Sequence, residues 1–127
     1  PVPTDIHFGF GVRHSLAVKL KAIGAKKAFI VTDPGIKAVG ILDEIADILK
    51  HGGIEVTVFD RVKPDSGSTL IDAAASALKS AGSDVVIGIG GGSSLDTAKA
   101  VAALATTVFL TLSIVRSTSL LGISFRP

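Results

Sequence analysis

The chain of 127 residues is about one domain long, and its hydrophobic content of 47% is enough to enclose one core. Its 13 Lys and Arg against 11 Asp and Glu leave a net charge of +2 with scattered charges, which argues against an extended nucleic-acid surface. The lack of cysteine excludes disulfides, thiolate nucleophiles and zinc–thiolate sites, and it fits a reducing compartment such as the cytoplasm.

The sequence carries no targeting or membrane signal that we recognise. Residues 1–5 lack the basic start and apolar run of a signal peptide. The longest uncharged stretch, residues 100–115, is shorter than the ~20 apolar residues of a spanning helix. We therefore expect a soluble, cytoplasmic protein with no membrane partner and no nucleic-acid partner.

The first half of the chain is predicted to alternate helix and strand. A helix is expected over residues 12–23, closed by Gly24. A run rich in β-branched residues predicts a strand over residues 27–32. Apolar residues at helical spacing then predict one amphipathic helix over residues 36–49, and the cation His51 followed by two glycines is typical of a helix end.

The same alternation continues in the second half. Strands are predicted over residues 55–59 and 84–89. The helix between them covers residues 68–81, and the next helix begins at the serines after Gly92 and runs toward Leu104. Because the strands are near-continuous apolar runs, we expect helices on both faces of a mainly parallel sheet. The sequence therefore predicts an α/β, Rossmann-like three-layer domain over residues 1–105.

Residues 106–127 form an atypical apolar tail. Arg116 and Arg126 are its only charged residues. One interpretation is a final strand that closes the sheet, because Leu110, Leu112 and Ile114 alternate with hydroxyl residues. The other is an irregular terminus produced by a shifted reading frame, and composition does not decide between them.

The glycine-rich turn after the third strand is the most informative feature of the sequence. A buried strand passes through Gly90, Gly91 and Gly92 into the start of a helix. Glycines let backbone N–H groups approach a phosphate, and the first helical turn leaves unpaired donors in a region of positive potential. The turn therefore predicts an anion site.

Four polar residues follow these glycines. Ser93 or Ser94 is placed to donate to a phosphate or to cap the helix. Asp96 is placed to cap backbone amides or to bind a ribose hydroxyl or a nicotinamide amide group. Lys99 is placed to neutralise charge on a bound cofactor. The alternative is a turn in which the glycines serve only helix–sheet packing. In that case Ser93 is the N-cap, Asp96 stands at the third helical position and Lys99 is simply solvated.

Common glycine motifs do not fit this turn. The dinucleotide fingerprint G-x-G-x-x-G fails because Ser93 occupies its third glycine position, and no lysine follows at the spacing of a P-loop. A serine hydrolase is set aside because no G-x-S-x-G elbow is formed around Ser93. The glycines also follow the third strand, whereas they follow the first strand in an ordinary Rossmann domain.

Together with the two earlier strands, this motif resembles a known family. The motif of the turn consists of Gly90-Gly91-Gly92-Ser93 followed by Asp96, Ala98 and Lys99. Three segments precede it in the chain: Ile30-Val31-Thr32-Asp33, Val56-Thr57-Val58-Phe59-Asp60, and Val62 with Pro64. This combination resembles the N-terminal domain of the iron-containing, or group III, alcohol dehydrogenases. The resemblance begins at an opening strand over residues 6–9 and extends to about Leu104. It implies a dehydroquinate-synthase-like N-terminal domain, which is only a minor part of a complete family member.

The resemblance also assigns cofactor-binding residues. It implies that Gly90, Gly91, Gly92 and Ser93 hold the pyrophosphate of NAD(P), with Asp96 and Lys99 as the matching acidic and basic residues of the motif.

Two further positions match family positions near the adenosine. The resemblance implies that Asp33 accepts both adenosine-ribose hydroxyls and repels a 2′-phosphate, so NAD is favoured and NADP remains possible. Without the resemblance, Asp33 would be taken as a helix or turn cap before Pro34. Pro64 is carried over as an adenosine-side contact, although the usual Pro-Asn-Pro reads Pro64-Asp65-Ser66 here.

The family's divalent metal, iron or zinc, has no predicted site in this chain. The family holds it with one aspartate and three histidines of a helical C-terminal domain, and none of those motifs is present, so that domain is expected to be absent. His7, His14 and His51 lack the one-face spacing of a metal pair. We therefore expect no catalytic or metal-ligating residue, weak NAD binding and no turnover by the isolated chain.

The resemblance also implies a substrate and an assembly. A full-length relative is expected to act on a small alcohol or aldehyde, and the chain is expected to associate with copies of itself.

Two other functions are open at this point. Glycerol dehydrogenase and dehydroquinate synthase are similar through the glycine turn and diverge mainly beyond it. A non-catalytic nucleotide-binding or interaction module is the alternative from another class.

Overall fold

The computed structural model describes residues 6–8, 16–38, 40–63, 67–116 and 121–126 of the chain. The helices are α1 (Leu16–Ala22), α2 (Pro34–Ala38), α3 (Ile41–His51), α4 (Ser68–Ala81) and α5 (Gly92–Leu104). The strands are β1 (Ile6–Phe8), β2 (Lys27–Val31), β3 (Glu55–Phe59), β4 (Val85–Gly90), β5 (Val108–Arg116) and β6 (Leu121–Arg126).

All six described strands belong to one sheet, in the order β1-β6-β5-β4-β2-β3. The four strands β5, β4, β2 and β3 are parallel to one another, while β6 is antiparallel to both β5 and β1. The predicted mainly parallel sheet is thus confirmed. Of the two interpretations of residues 106–127, the strand around Leu112 is present as β5, although β5 lies inside the sheet and does not close it. The strand β6 was not predicted from the sequence.

Two apolar clusters pack against opposite faces of the sheet. On one face, Ala28 and Ile30 of β2 meet the apolar sides of α1 and α3. On the other face, Phe29 and Val31 of β2 meet α4 and α5. Because successive side chains of β2 are buried on opposite faces, the strand is apolar at nearly every position. This arrangement confirms the predicted three layers.

The helix predicted over residues 36–49 is wrong as a single element. The structure has two helices there, α2 and α3, and Gly40 stands between them with φ 83° and ψ −2°. A residue in this left-handed conformation cannot continue a right-handed helix, and glycine adopts it without steric cost. The apolar periodicity continues across this break, so hydrophobic spacing alone did not reveal it. The end of α3 at His51 is confirmed.

The direction of the chain reverses between β2 and β4. From β2 the chain passes through α2 and α3 to β3 on one side, and from β4 it passes through α5 to β5 on the other. The helices α3 and α5 lie on opposite faces of the sheet. Such a switch in strand order leaves a crevice outside the carboxyl ends of the two strands, where open α/β sheets bind ligands.

The same two strands are tied together at their amino ends. The carboxylate of Asp84 accepts hydrogen bonds from the amides of Lys26, at 2.9 Å, and Lys27, at 3.1 Å. Asp84 immediately precedes β4, and Lys27 begins β2. The bonds therefore add to the parallel ladder between β2 and β4.

We predict that Gly88→Ala lowers the free energy of unfolding by about 1–3 kcal/mol, because a Cβ at Gly88 would lie 2.6 Å from the Cβ of Ala98 and would push α5 away from β4. Urea denaturation followed by circular dichroism measures the change. Gly67→Ser is the control, since a Cβ at Gly67 meets no atom within 4 Å and serine is a good N-cap for α4. Equal stability of the two variants would contradict close packing of α5 on β4.

Candidate functional site

A cleft of about 410 Å³ opens at the switch between β2 and β4. This volume is within the range of sites for small molecules and cofactors. Its lining comes from the residues after β2, after β3 and at the start of α5: Asp33, Pro34, Val62, Lys63, Gly91, Gly92, Ser93 and Ser94. The cleft therefore combines three segments that are far apart in the sequence.

Gly90 forms the buried base of the glycine turn and is required by the fold itself. Its φ is 135°, which side chains rarely permit. A Cβ there would also lie 3.0 Å from Oδ2 of Asp33 and 3.1 Å from Oγ of Ser94. A larger residue at position 90 would therefore crowd both of these groups.

Gly91 and Gly92 differ from Gly90 because neither is required by the fold. Gly91 is the N-cap of α5 with φ −88°, and Gly92 is the first residue of that helix. A Cβ added at either position would meet no atom within 4 Å. Both residues line the cleft, so the missing side chains leave the backbone there open to a ligand.

The start of α5 receives no side-chain cap. The N-cap is Gly91, and the structure has no side-chain cap hydrogen bond at this position. This corrects the packing alternative, in which Ser93 was the N-cap: Ser93 is the second residue of α5 and Asp96 the fifth. The N–H groups of a first helical turn have no acceptor within the helix. They lie at the cleft, where the helix dipole favours an anion.

The hydroxyl of Ser94 joins the two sides of the cleft. It donates to Oδ2 of Asp33 at 3.0 Å, and the other oxygen, Oδ1, accepts the amide of Ile36 at 3.0 Å. Asp33 therefore caps α2, as its position before Pro34 suggested. Two donors hold its carboxylate in a fixed orientation beside the glycine turn. Ser94 itself is buried, with 1% of its surface exposed.

The segment after β3 is placed over the end of β2 by backbone hydrogen bonds. The amide of Thr32 donates to the carbonyl of Phe59 at 2.9 Å, and the amide of Val62 donates to the carbonyl of Thr32 at 3.2 Å. The Val62 side chain is buried in the core. Asp33 and Lys63 each follow one of these paired residues, and both line the cleft.

An exposed ion pair connects α2 with the same segment. The ammonium of Lys37 donates to Oδ2 of Asp60 at 3.0 Å. This hydrogen bond lowers the pKa of Asp60 and raises the pKa of Lys37. Next to this pair, the guanidinium of Arg61 lies 4.6 Å from the ring centre of Phe59. Lys37 and Arg61 therefore make their contacts with Asp60 and Phe59, and neither residue belongs to the cleft lining.

The residues predicted for the site separate into three groups in the structure. Asp33, Gly91, Gly92 and Ser93 line the cleft, and Gly90 lies buried beneath them. In the described part of the chain, Asp96 and Lys99 are exposed farther along α5 and do not line the cleft. Pro64 is outside the described residues.

Sequence reasoning did not assign Lys63 to the site, and it left open whether Ser94 caps the helix or binds a phosphate. The place of Lys63 between the matched residues Val62 and Pro64 was the available signal. The partner of Ser94 was not readable, because Asp33 lies 61 residues away in the sequence.

Within the described ranges, no three His, Cys, Asp or Glu side chains lie close enough together to hold a metal ion. The Nδ1 atom of His51 lies 2.8 Å from the carbonyl oxygen of Asp47, at the end of α3. His14 and the side chain of His7 are outside the described part. Of the helices that the structure describes, none has the length and apolar character to cross a membrane.

The model of the family "Iron-containing alcohol dehydrogenase" matches residues 3–121 of the chain. The chain belongs to the iron-containing alcohol dehydrogenase family. The resemblance drawn from the glycine turn and the two preceding strands is therefore confirmed.

Individual family members show how much of a relative this chain represents. A choline dehydrogenase from Bacillus subtilis (strain 168) is 38% identical over 105 residues, which are 83% of this chain and 26% of the relative. An NAD-dependent methanol dehydrogenase from Bacillus methanolicus is 36% identical over 104 residues, 82% of this chain and 27% of the relative. The chain thus spans about a quarter of the length of these curated relatives.

A solved structure gives the same picture of the fold. An archaeal halo-thermophilic alcohol dehydrogenase from a Red Sea brine pool superimposes with a TM-score of 0.74 and 34% identity. The match covers 80% of this chain and 25% of the solved chain. The family fold is therefore present over most of this chain.

We predict that Ser94→Ala lowers the free energy of unfolding by about 1–2 kcal/mol, because it removes a hydrogen bond to a charged carboxylate. Combined with Asp33→Ala in a double-mutant cycle, the two changes should show a coupling energy of about 1 kcal/mol. Chemical denaturation of the four proteins provides the values. Strictly additive losses would mean that the Ser94–Asp33 bond does not stabilise the cleft.

Proposed function

We propose that this chain forms the dinucleotide-binding part of an NAD(P)-dependent and metal-dependent alcohol dehydrogenase. Such an enzyme interconverts an alcohol and an aldehyde by hydride transfer. The observation that carries the proposal concerns Gly91 and Gly92. Neither the backbone conformation nor the packing at these two positions requires a glycine. Both line a cleft at the switch in strand order.

A diphosphate is the anion that fits this arrangement best. The uncapped first turn of α5 supplies N–H donors and a partial positive charge, and Gly91 and Gly92 allow the phosphate oxygens to approach the backbone. Ser93 is exposed at the cleft, so its hydroxyl is available as a further donor. The cleft volume of about 410 Å³ leaves room for more than one phosphate group.

Asp33 is assigned to the adenosine ribose. Its carboxylate is oriented by the hydroxyl of Ser94 and the amide of Ile36, which each use one acceptor site of one oxygen. Each carboxylate oxygen has a second lone pair, so both remain able to accept a ribose hydroxyl. A carboxylate at this place also repels a 2′-phosphate, which supports NAD as the preferred cofactor.

Three further residues contribute less directly. Lys99 lies farther along α5, outside the cleft lining, and we assign it a longer-range electrostatic role toward the bound cofactor. Asp96 and Pro64 are kept as cofactor-side residues on the strength of the family motif.

Gly91, Gly92 and Ser93 would hold the diphosphate of a bound dinucleotide, whose nicotinamide would supply the hydride chemistry. The described residues offer a cleft for the dinucleotide and no cluster of metal ligands. We therefore assign to this chain the binding and orientation of the dinucleotide, and no turnover of its own.

The substrate class, assembly and location are part of the same proposal. The relatives named as choline and methanol dehydrogenases support a small alcohol as the substrate of the complete enzyme. Exposed apolar side chains at Val18, Ile23 and Leu104 support association with a second copy. The absence of cysteine supports a cytoplasmic location.

We predict that Gly92→Ala weakens NADH binding about tenfold or more without lowering stability. The added methyl group stands where a phosphate oxygen would meet the helix amides, so hydrogen bonds to a charged group are lost. Stability should stay equal or rise, because alanine restricts the unfolded chain and meets no atom in the folded one. Isothermal titration calorimetry with NADH and a urea melt measure the two effects.

Gly67→Ala is the matched control for that experiment. It adds a methyl group at another helix N-terminus, that of α4, where a Cβ is also free of contacts. Its affinity for NADH should equal that of the unaltered chain. The proposed function is wrong if the unaltered chain does not bind NADH, or if Gly92→Ala binds it as tightly.

A further inference from the structure

The strand β3 lies at one edge of the sheet. Among the described strands, only β2 pairs with it, and the pairing is parallel along the whole of β3. The amide of Glu55 donates to the carbonyl of Lys26 at 3.0 Å, and the carbonyl of Phe59 accepts the amide of Thr32 at 2.9 Å. The odd-numbered residues of β3 are therefore those whose backbone groups face β2.

The two even-numbered residues of β3 direct their backbone groups away from β2. Successive residues of an edge strand point their N–H and C=O groups alternately toward the neighbouring strand and away from it. Val56 and Val58 thus each present a donor and an acceptor at the edge. In the described part of the chain no strand lies against these groups. They form a short template with which a further strand can pair.

The spacing of these groups fits a second copy of β3 that runs in the opposite direction. With Thr57 opposite Thr57 of the second copy, Val56 of each chain stands opposite Val58 of the other. Both residues of such a pair have outward backbone groups, so they exchange both N–H···O bonds. A two-fold axis at the Thr57 pair relates the copies. Because each β3 edge is then covered by the other, the assembly closes as a dimer.

The apolar side chains of the edge suit this pairing. Val58 is one of the large apolar side chains that remain exposed, with 40% of its surface accessible. Val56 points to the same face of the sheet, two residues earlier, and packs partly against the core. Pairing would place Val58 of each copy against Val56 of the other, as a cross-strand pair of β-branched residues.

The charged side chains of β3 and its end are complementary in the same register. Glu55 comes opposite Phe59 of the other copy, and the guanidinium of Arg61 lies 4.6 Å from the centre of that ring. The carboxylate of Glu55 is exposed, and its contact with Lys27 is long, at 3.6 Å. An exposed pair of this kind is weak, so the carboxylate can accept the second cation.

We propose that two copies of this chain associate through β3, which pairs antiparallel with β3 of the other copy about a two-fold axis at Thr57. The inference rests on the self-association in the proposed function and adds the surface that carries it, independently of the cofactor. The strand has five residues, so the contact is small and the dimer is weak and concentration-dependent.

Disulfide cross-linking tests the register, because the chain has no cysteine of its own. In a non-hydrogen-bonded antiparallel pair the Cα atoms lie about 4.5 Å apart, within reach of a disulfide. Thr57→Cys should therefore form a covalent dimer on oxidation with diamide, measured on non-reducing gels. Glu55→Cys is the matched control, since its two copies would lie roughly 13 Å apart along the strands, too far to be bridged. We expect Thr57→Cys to cross-link at least about tenfold faster.

Analytical ultracentrifugation over a range of concentrations tests the association itself. Val58→Lys should raise the dissociation constant of the dimer about tenfold or more, because a charge on the covered edge opposes pairing. Val18→Lys is the control, as it makes the same change at another exposed valine, on α1. It should leave the constant unchanged. Circular dichroism checks that both variants keep the fold.

Equal cross-linking of the two cysteine variants would overturn the inference. So would an unchanged dissociation constant in Val58→Lys, or an equal rise in Val18→Lys. In each of these cases the copies associate through another surface, and only this inference fails. A chain that stays monomeric at every concentration would overturn the self-association in the proposed function as well. The dinucleotide assignment is decided separately, by the NADH titration.

Discussion

Two side-chain hydrogen bonds hold the carboxyl ends of β2 and β4 side by side, and the cleft depends on them. The buried hydroxyl of Thr32 donates to the carbonyl of Ile89 at 2.8 Å, and the hydroxyl of Ser94 donates to Asp33 at 3.0 Å. Both bonds cross from one strand end to the other, at the place where the chain leaves in opposite directions. Gly90 leaves room for the second bond, because a Cβ there would crowd both partners, at 3.0 Å from Oδ2 of Asp33 and 3.1 Å from Oγ of Ser94. Without these two hydrogen bonds, Asp33 would no longer be held beside the start of α5.

The glycines in and before the turn serve different purposes. Gly88 lets α5 pack on β4, and Gly90 permits both a positive φ and the approach of Asp33 to Ser94. Gly91 and Gly92 serve neither the packing nor the backbone conformation of the chain. Their side of the turn faces the cleft, next to the uncapped amides of α5. Gly88 and Gly90 are therefore needed for the fold, whereas Gly91 and Gly92 leave the backbone accessible to a ligand. The accessible backbone is the feature on which the proposed function depends.

The sequence predicted the elements that depend on local pattern. The strands β2 and β4 were found because burial on both faces makes them almost wholly apolar. The edge strand β3 was found from its β-branched residues, and α4 was found with its observed bounds. The split between α2 and α3 was missed because the apolar period continues past Gly40. The Ser94–Asp33 bond and the place of Lys63 depend on which strands are neighbours, and that order joins residues far apart in the chain. The glycine turn itself was recognised, whereas its true N-cap, Gly91, needed the backbone geometry.

The central claim is that a dinucleotide's diphosphate lies against the first amides of α5. Amide chemical shifts of the isotopically labelled chain, followed by NMR while ADP-ribose is added, test it most directly. We expect the largest shift changes at Gly91, Gly92 and Ser93, with smaller changes at Asp33 and Lys63. Saturable binding that leaves these amides unchanged and shifts residues elsewhere in the chain would contradict it.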